Sequence, residues 1–255
     1  MIDTHCHLDD IRFENERENI INSFQNDNIQ FVINNSSDRP SVETTMSLAT
    51  KYPRIFAAIG CHPQRANSYD FEFEKRIIEC AQNPKVVAIG EIGLDYFYEY
   101  SDRETQKKVF KRQLCLANEL HKPFVLHIRD AYSDAYEILK ENKTLINYGG
   151  ELHCYSGSPE MAKRFNEFGL YFAFGGTITY KNAKKDEIIH NIPKNRILSE
   201  TDCPYLSPTP FRGQTNYPKY VRCVIDKLSE ILEMSFDQTE QLIAKNTETL
   251  FKIST

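Results

Sequence analysis

The chain has 255 residues, 40% of them hydrophobic and 26% charged, with a formal net charge of −5. That composition describes an ordinary globular protein, and the length suits one α/β barrel as well as two small domains. No apolar run is long enough to span a bilayer, and the negative balance argues against a broad electropositive surface for coating nucleic acid, though not against a local phosphate site charged by bound metal.

Short runs rich in Val, Ile and Phe alternate with longer amphipathic stretches. The eight predicted strands are 2–7, 30–34, 55–61, 86–92, 124–128, 150–155, 170–175 and 197–201. Helices are predicted at 17–26, 41–51, 73–81, 104–121, 131–141, 159–168, 183–190 and 219–232. The stretch 104–121 spaces Val109, Gln113, Leu116, Ala117 and Leu120 at helical rather than alternating intervals. A last helix, 237–251, follows Ser235 as its N-cap. Strand and helix alternating in this way predict an α/β fold, a (β/α)8 TIM barrel, as a single domain over residues 1–255. The competitor is a doubly wound open sheet. That fold usually carries a Gly-rich phosphate turn after its first strand, and His7-Leu8-Asp9-Asp10 stands there instead.

The chain starts directly on its first strand, so no secretory presequence is expected. Its seven cysteines (6, 61, 80, 115, 154, 203 and 223) lack paired spacing and read as reduced thiols of a cytoplasmic protein.

The chemistry gathers at the strand ends. The first strand finishes in His5-Cys6-His7, and side chains two apart on a strand share a face, so two imidazoles stand ready as metal ligands. The fourth runs into Gly90-Glu91-Ile92-Gly93-Leu94-Asp95-Tyr96, the fifth gives His127-Ile128-Arg129, the sixth His153-Cys154-Tyr155, and the eighth Glu200-Thr201-Asp202-Cys203-Pro204. In a barrel these C-terminal ends converge on one mouth. A single strand-end His reads as a hydrogen-bonded structural residue, and a single Glu as one side of a salt bridge. His5, His7, Glu91, His127, His153 and Asp202 together are enough to hold two divalent cations bridged by a carboxylate. Metal is the simplest common reason to bury such carboxylates.

Cys6, Cys154 and Cys203 each adjoin a proposed ligand, but alternation turns an immediate neighbour to the opposite face, where a cysteine packs as a small hydrophobe. Substrate contacts are expected from His62, Asp95, Arg129 and Arg212. His62 lies at the third strand end; Asp95 orients either a ligand or its own loop; and either arginine suits phosphate geometry, or else steadies a loop through a salt bridge. The aromatic run Tyr96-Phe97-Tyr98-Glu99-Tyr100 offers stacking surface for bases, with packing beneath a loop as the simpler reading.

Taken in order, Ile2-Asp3-Thr4-His5-Cys6-His7, Gly60-Cys61-His62-Pro63, Gly90–Tyr96, Pro123–Arg129, His153–Gly157 and Ser199–Leu206 resemble the TatD-type metal-dependent deoxyribonucleases, a branch of the amidohydrolase-like TIM-barrel hydrolases. The resemblance covers nearly the whole chain. It implies one metal position at His5, His7, Glu91 and Asp202, and a second at Glu91, His127 and His153. Glu91 then stands where many related hydrolases place a carboxylated lysine. It further implies phosphodiester hydrolysis on DNA, removing nucleotides from the 3′ end; the site itself points to metal-activated water, with Asp202 at the mouth as the general base. The cations are Mg, Mn or Zn. The same ligands equally serve hydrolysis of another ester or amide, such as an aminoacyl ester, a small phosphoester or a lactone.

Overall fold

The structure, a computed structural model, describes residues 1–253. Eight strands pair in parallel and in chain order: β1 Ile2–Cys6, β2 Phe31–Asn35, β3 Ile55–Ile59, β4 Val86–Asp95, β5 Phe124–Arg129, β6 Gly150–Leu152, β7 Tyr171–Phe174 and β8 Ile197–Ser199. The last strand returns to the first. Past the end of β8, Asp202 N donates to His5 O at 2.8 Å and His7 N to Cys203 O at 2.8 Å, so the ring closes at the level of the histidines. This is the expected (β/α)8 barrel in one domain.

The helices between the strands are α1 Arg17–Ser23, α2 Arg39–Lys51, α3 Phe71–Cys80, α4 Arg103–Glu119, α5 Tyr132–Glu141, α6 Pro159–Asn166, α7 Asp186–His190 and α8 Val221–Leu232, with α9 Phe236–Phe251 closing the chain. Five of these starts are written in the sequence. Asp38, Asp70, Asp102, Ser158 and Ser235 each accept a backbone N–H of the first turn, satisfying a donor that the helix itself cannot. Ser235 is the expected cap of α9, and Gln238 completes a reciprocal capping box with it.

Two packed layers hold the barrel. The larger joins the outer faces of the strands to the helices, and Cys6, Cys61 and Cys203 lie in it with Phe13, Phe24 and Phe73. The smaller includes Ile2, Ile33, Ala58, Val125, Ala173 and Leu198, covered by Leu250 and Phe251 of α9. Sealing the lower end in this way leaves the opposite end, where the strands finish, as the open mouth.

Local differences from the expected boundaries matter at that mouth. β4 runs three residues further than expected, to Asp95, and stays paired with β5 out to Asp95 and Arg129. Gly93 permits this close approach: its φ is +136°, and a Cβ there would stand 2.0 Å from His127 O. β6 is shorter than expected, so His153 lies just beyond its end, and His7 likewise follows β1. The pairing of β1 with β2 shifts register between Asp3 and Cys6. No helix among the described residues is long and apolar enough to cross a membrane, and all seven cysteines are free thiols.

Candidate metal centre

Glu91, on β4, is almost wholly buried and organises the mouth. Its Oε2 lies 3.5 Å from His5 Nε2 and 3.8 Å from His7 Nε2. Its Oε1 lies 2.8 Å from His127 Nδ1, 3.6 Å from His153 Nε2 and 3.7 Å from His62 Nε2. Each oxygen of one carboxylate therefore faces its own set of imidazoles. Asp202 joins the first set, with Oδ1 3.4 Å from His7 Nε2 and 4.0 Å from His5 Nε2.

Outer partners fix these rings. His7 Nδ1 stands 2.8 Å from Asn35 O at the end of β2, and His153 Nδ1 stands 2.9 Å from Glu200 Oε2. His127 Nε2 lies 3.2 Å from Asp95 Oδ2, which also accepts from Gln64 Nε2 at 2.7 Å. Such partners set a ring's tautomer and orientation and thereby its competence as a ligand. Asp202 turns in from β8 through a left-handed backbone conformation, φ 56°, that Asp tolerates better than most residues.

The donor set fits divalent cations. His5 Nδ1 is buried without a hydrogen-bond partner, and His5 Nε2 and His7 Nε2 face each other at 3.2 Å. Ligand atoms of His5, His7 and Glu91 lie within 4.8 Å of one another, as do those of His62, Glu91 and His127, and those of His5, His153 and Asp202. Imidazole with carboxylate is a donor mixture that zinc and manganese accept readily and magnesium accepts through oxygen.

Known proteins share this frame. The family model for TatD related DNase matches residues 2–252. The chain belongs to that family. It is 39% identical over 255 residues to YabD of Bacillus subtilis, called an uncharacterized metal-dependent hydrolase, with 100% of both chains covered. The crystal structure of YjjV, a TatD homolog from Escherichia coli, superposes with a TM-score of 0.93 at 32% identity, covering 100% of this chain and 98% of that one. A TatD family hydrolase from Entamoeba histolytica shares the fold, with a TM-score of 0.85 at 24% identity over 98% of this chain and 97% of that one.

The electrostatics of this TatD-family mouth follow from burial set against close opposite charge. Burial alone would raise the Glu91 carboxyl, but His62, His5, His153 and His127 outweigh it and hold Glu91 well below the usual carboxylate range. Burial would also raise Asp202, and His7, His153 and His5 hold it down. His7 and His153 are pushed up to about 10, because Asp202 and Glu91 at the first and Glu200 and Glu91 at the second outweigh desolvation. Desolvation wins at His5, which is lowered, and at His62, which falls to about 3.

All six expected ligand residues thus meet in one constellation. Among the expected substrate contacts, His62 and Arg129 line the same 620 Å³ cavity as His7, Glu91, His127, His153 and Asp202. Asp95 is fully buried and bonded to His127 and to its own loop, so it braces both of the things weighed for it. Arg212 does not line this cavity; its guanidinium lies 4.5 Å from the ring centre of Tyr180. The aromatic run divides: Tyr96 packs against the core, while Phe97, Tyr98 and Tyr100 are exposed, so packing beneath a loop describes only the first.

Glu200 was not legible as a functional residue, although it precedes Asp202 by two positions, a spacing that marks shared orientation on a strand. Arg65, Tyr205 and Leu206 also line the cavity from loops whose path no local pattern discloses.

Proposed function

We propose that this TatD-family chain is a metal-dependent hydrolase that uses two divalent cations to cleave phosphodiester bonds of DNA, trimming a strand from its 3′ end. The observation that carries this reading is the division of the Glu91 oxygens between two imidazole sets. His5, His7, Glu91 and Asp202 would hold one cation, and Glu91, His127 and His153 the other. Bound divalent cations supply Lewis-acid polarisation of the scissile phosphate and acidify water.

The remaining work belongs to the side chains. Asp202 stays ionised in a buried place, so it can orient an attacking water and accept its proton. Glu200 steadies His153 through the 2.9 Å contact at Nδ1. Arg129 is exposed at the cavity edge and has no carboxylate ion pair among the described residues, leaving its donors for a nonbridging phosphate oxygen. A strand end needs few phosphate contacts, which is compatible with a net charge of −5. Seven free thiols suit a reducing compartment, and the cytoplasm is the location we assign.

The test is a nuclease assay on 3′- and 5′-labelled single and double strands with Mg²⁺, Mn²⁺ or Zn²⁺, beside RNA and small esters. Stepwise loss from the 3′ end only when metal is present is the expected result. Turnover of esters with intact DNA would replace the nuclease reading by hydrolysis of another ester or amide.

A further inference from the structure

Three exposed aromatic side chains sit together beside the metal centre, a contiguous patch rather than scattered single residues. Phe97 is 56% exposed, Tyr98 44% and Tyr100 66%. Tyr98 and Tyr100 lie nearly parallel, 15° between planes with ring centres 5.6 Å apart, and Phe97 meets Tyr98 edge-on at 4.8 Å. The Arg129 guanidinium lies 4.0 Å from the ring centre of Phe97 and 4.9 Å from that of Tyr98.

This surface is held in place. Asp95 Oδ1 accepts the backbone N–H groups of Phe97 and Tyr98 at 3.0 and 3.1 Å, while its Oδ2 contacts His127. Further along, Asn67 Nδ2 donates to Tyr100 O at 3.2 Å, and Ser101 Oγ accepts from Asn67 N at 3.0 Å. The loop is therefore tied at both ends, at one of them to a residue of the metal centre. Tyr98, Tyr100 and Arg129 line the same cavity as Glu91 and Asp202.

We propose that Tyr98 and Tyr100 form a base-stacking subsite, which takes an unpaired nucleobase next to the phosphate held at the metal centre, with Arg129 contributing charge to the adjoining backbone. The subsite rests on the nuclease reading above and adds the residues that grip the polynucleotide. A ring pair with an arginine set over the Tyr98 ring suits a base and its phosphate together: π-faces accept any base, and the guanidinium takes the anion. A second protein is a poorer occupant, because the rings open into the cavity that contains the metal ligands.

The test compares a normal oligonucleotide with one abasic at its terminal nucleotides, using wild type, Tyr98→Ala/Tyr100→Ala and Tyr98→Phe/Tyr100→Phe. Both phosphodiester backbones are the same, so the ratio of KM values isolates the bases. Wild type is expected to favour the normal strand by about 10-fold or more in KM, the double alanine variant to lose that preference, and the phenylalanine variant to keep it. An unchanged preference in the alanine variant overturns the subsite. If neither strand is cleaved with any divalent cation, the nuclease reading fails by itself, and tyrosine fluorescence, readable because the chain has no Trp, decides the subsite. Quenching by the base-bearing strand alone supports it, and equal quenching by both strands overturns it.

Discussion

Asp95 Oδ2 stands 3.2 Å from His127 Nε2, and the other oxygen of the same carboxylate accepts the backbone N–H groups of Phe97 and Tyr98. One buried side chain thus ties a proposed metal ligand to the aromatic rim of the cavity. Asp95→Ala removes both ties, and partners of this kind typically support metal affinity by about 10- to 100-fold. Metal titration by calorimetry should show a loss of that size; affinity equal to wild type would mean that His127 is oriented by something else.

Asp202→Asn retains the shape of the side chain and removes its basicity. Activity should fall by about 100-fold or more, the range of a positioned general base, while circular dichroism shows the fold retained. A fully active, folded Asp202→Asn protein would contradict the role given to this residue.

Protons and cations compete for this mouth. His7 and His153 are pushed up to about 10 by neighbouring carboxylates that outweigh their burial. In metal-free protein both rings carry protons at neutral pH, and a cation must displace them. Metal affinity should therefore rise as pH rises toward 10 and fall in acid, with net release of protons when both positions fill near neutral pH. Calorimetry in buffers of different ionisation enthalpy measures that release. The sign reverses for the metal-free fold. Ion pairs with raised imidazoles stabilise fully below the ordinary value of 6.5 and lose that contribution as pH climbs toward 10. Chelation should abolish turnover, and added Mg²⁺ or Mn²⁺ should restore it.

The two expected arginines separate by position. Arg129 lines the cavity and Arg212 does not. Arg129→Ala should raise KM for an oligonucleotide by about 10-fold through loss of a charge-assisted phosphate contact. Arg212→Ala should leave KM within about twofold, since surface changes away from a site are usually small. Equal effects at both positions, read from steady-state kinetics, would mean that the strand runs over Tyr180 instead.

The barrel and the meeting of the six candidate ligands were legible because each rests on a local rule. Apolar runs mark buried strands, Ser235 marks the start of α9, and a polar residue at a strand's C-terminal end in this fold faces the mouth. The rest depends on tertiary contacts that no short window contains. β4 outruns its apolar stretch because Gly93 allows close pairing with β5. Tyr96 and Tyr98 look alike in sequence, yet one packs on the core and the other opens to the cavity. Arg129 and Arg212 carry the same charge, and only the route of the loop after β8 takes Arg212 to Tyr180. Glu200 owes its role to a histidine 47 residues away in the chain.

Anomalous diffraction from crystals grown with Mn²⁺ puts the bridging role of Glu91 to the question. Two peaks are expected, one on each side of the Glu91 carboxylate, the first among His5, His7 and Asp202 and the second beside His127 and His153. A Glu91→Gln protein should lose at least one of them. Peaks that do not touch Glu91, or full occupancy of both positions in Glu91→Gln, would contradict a centre built around this carboxylate.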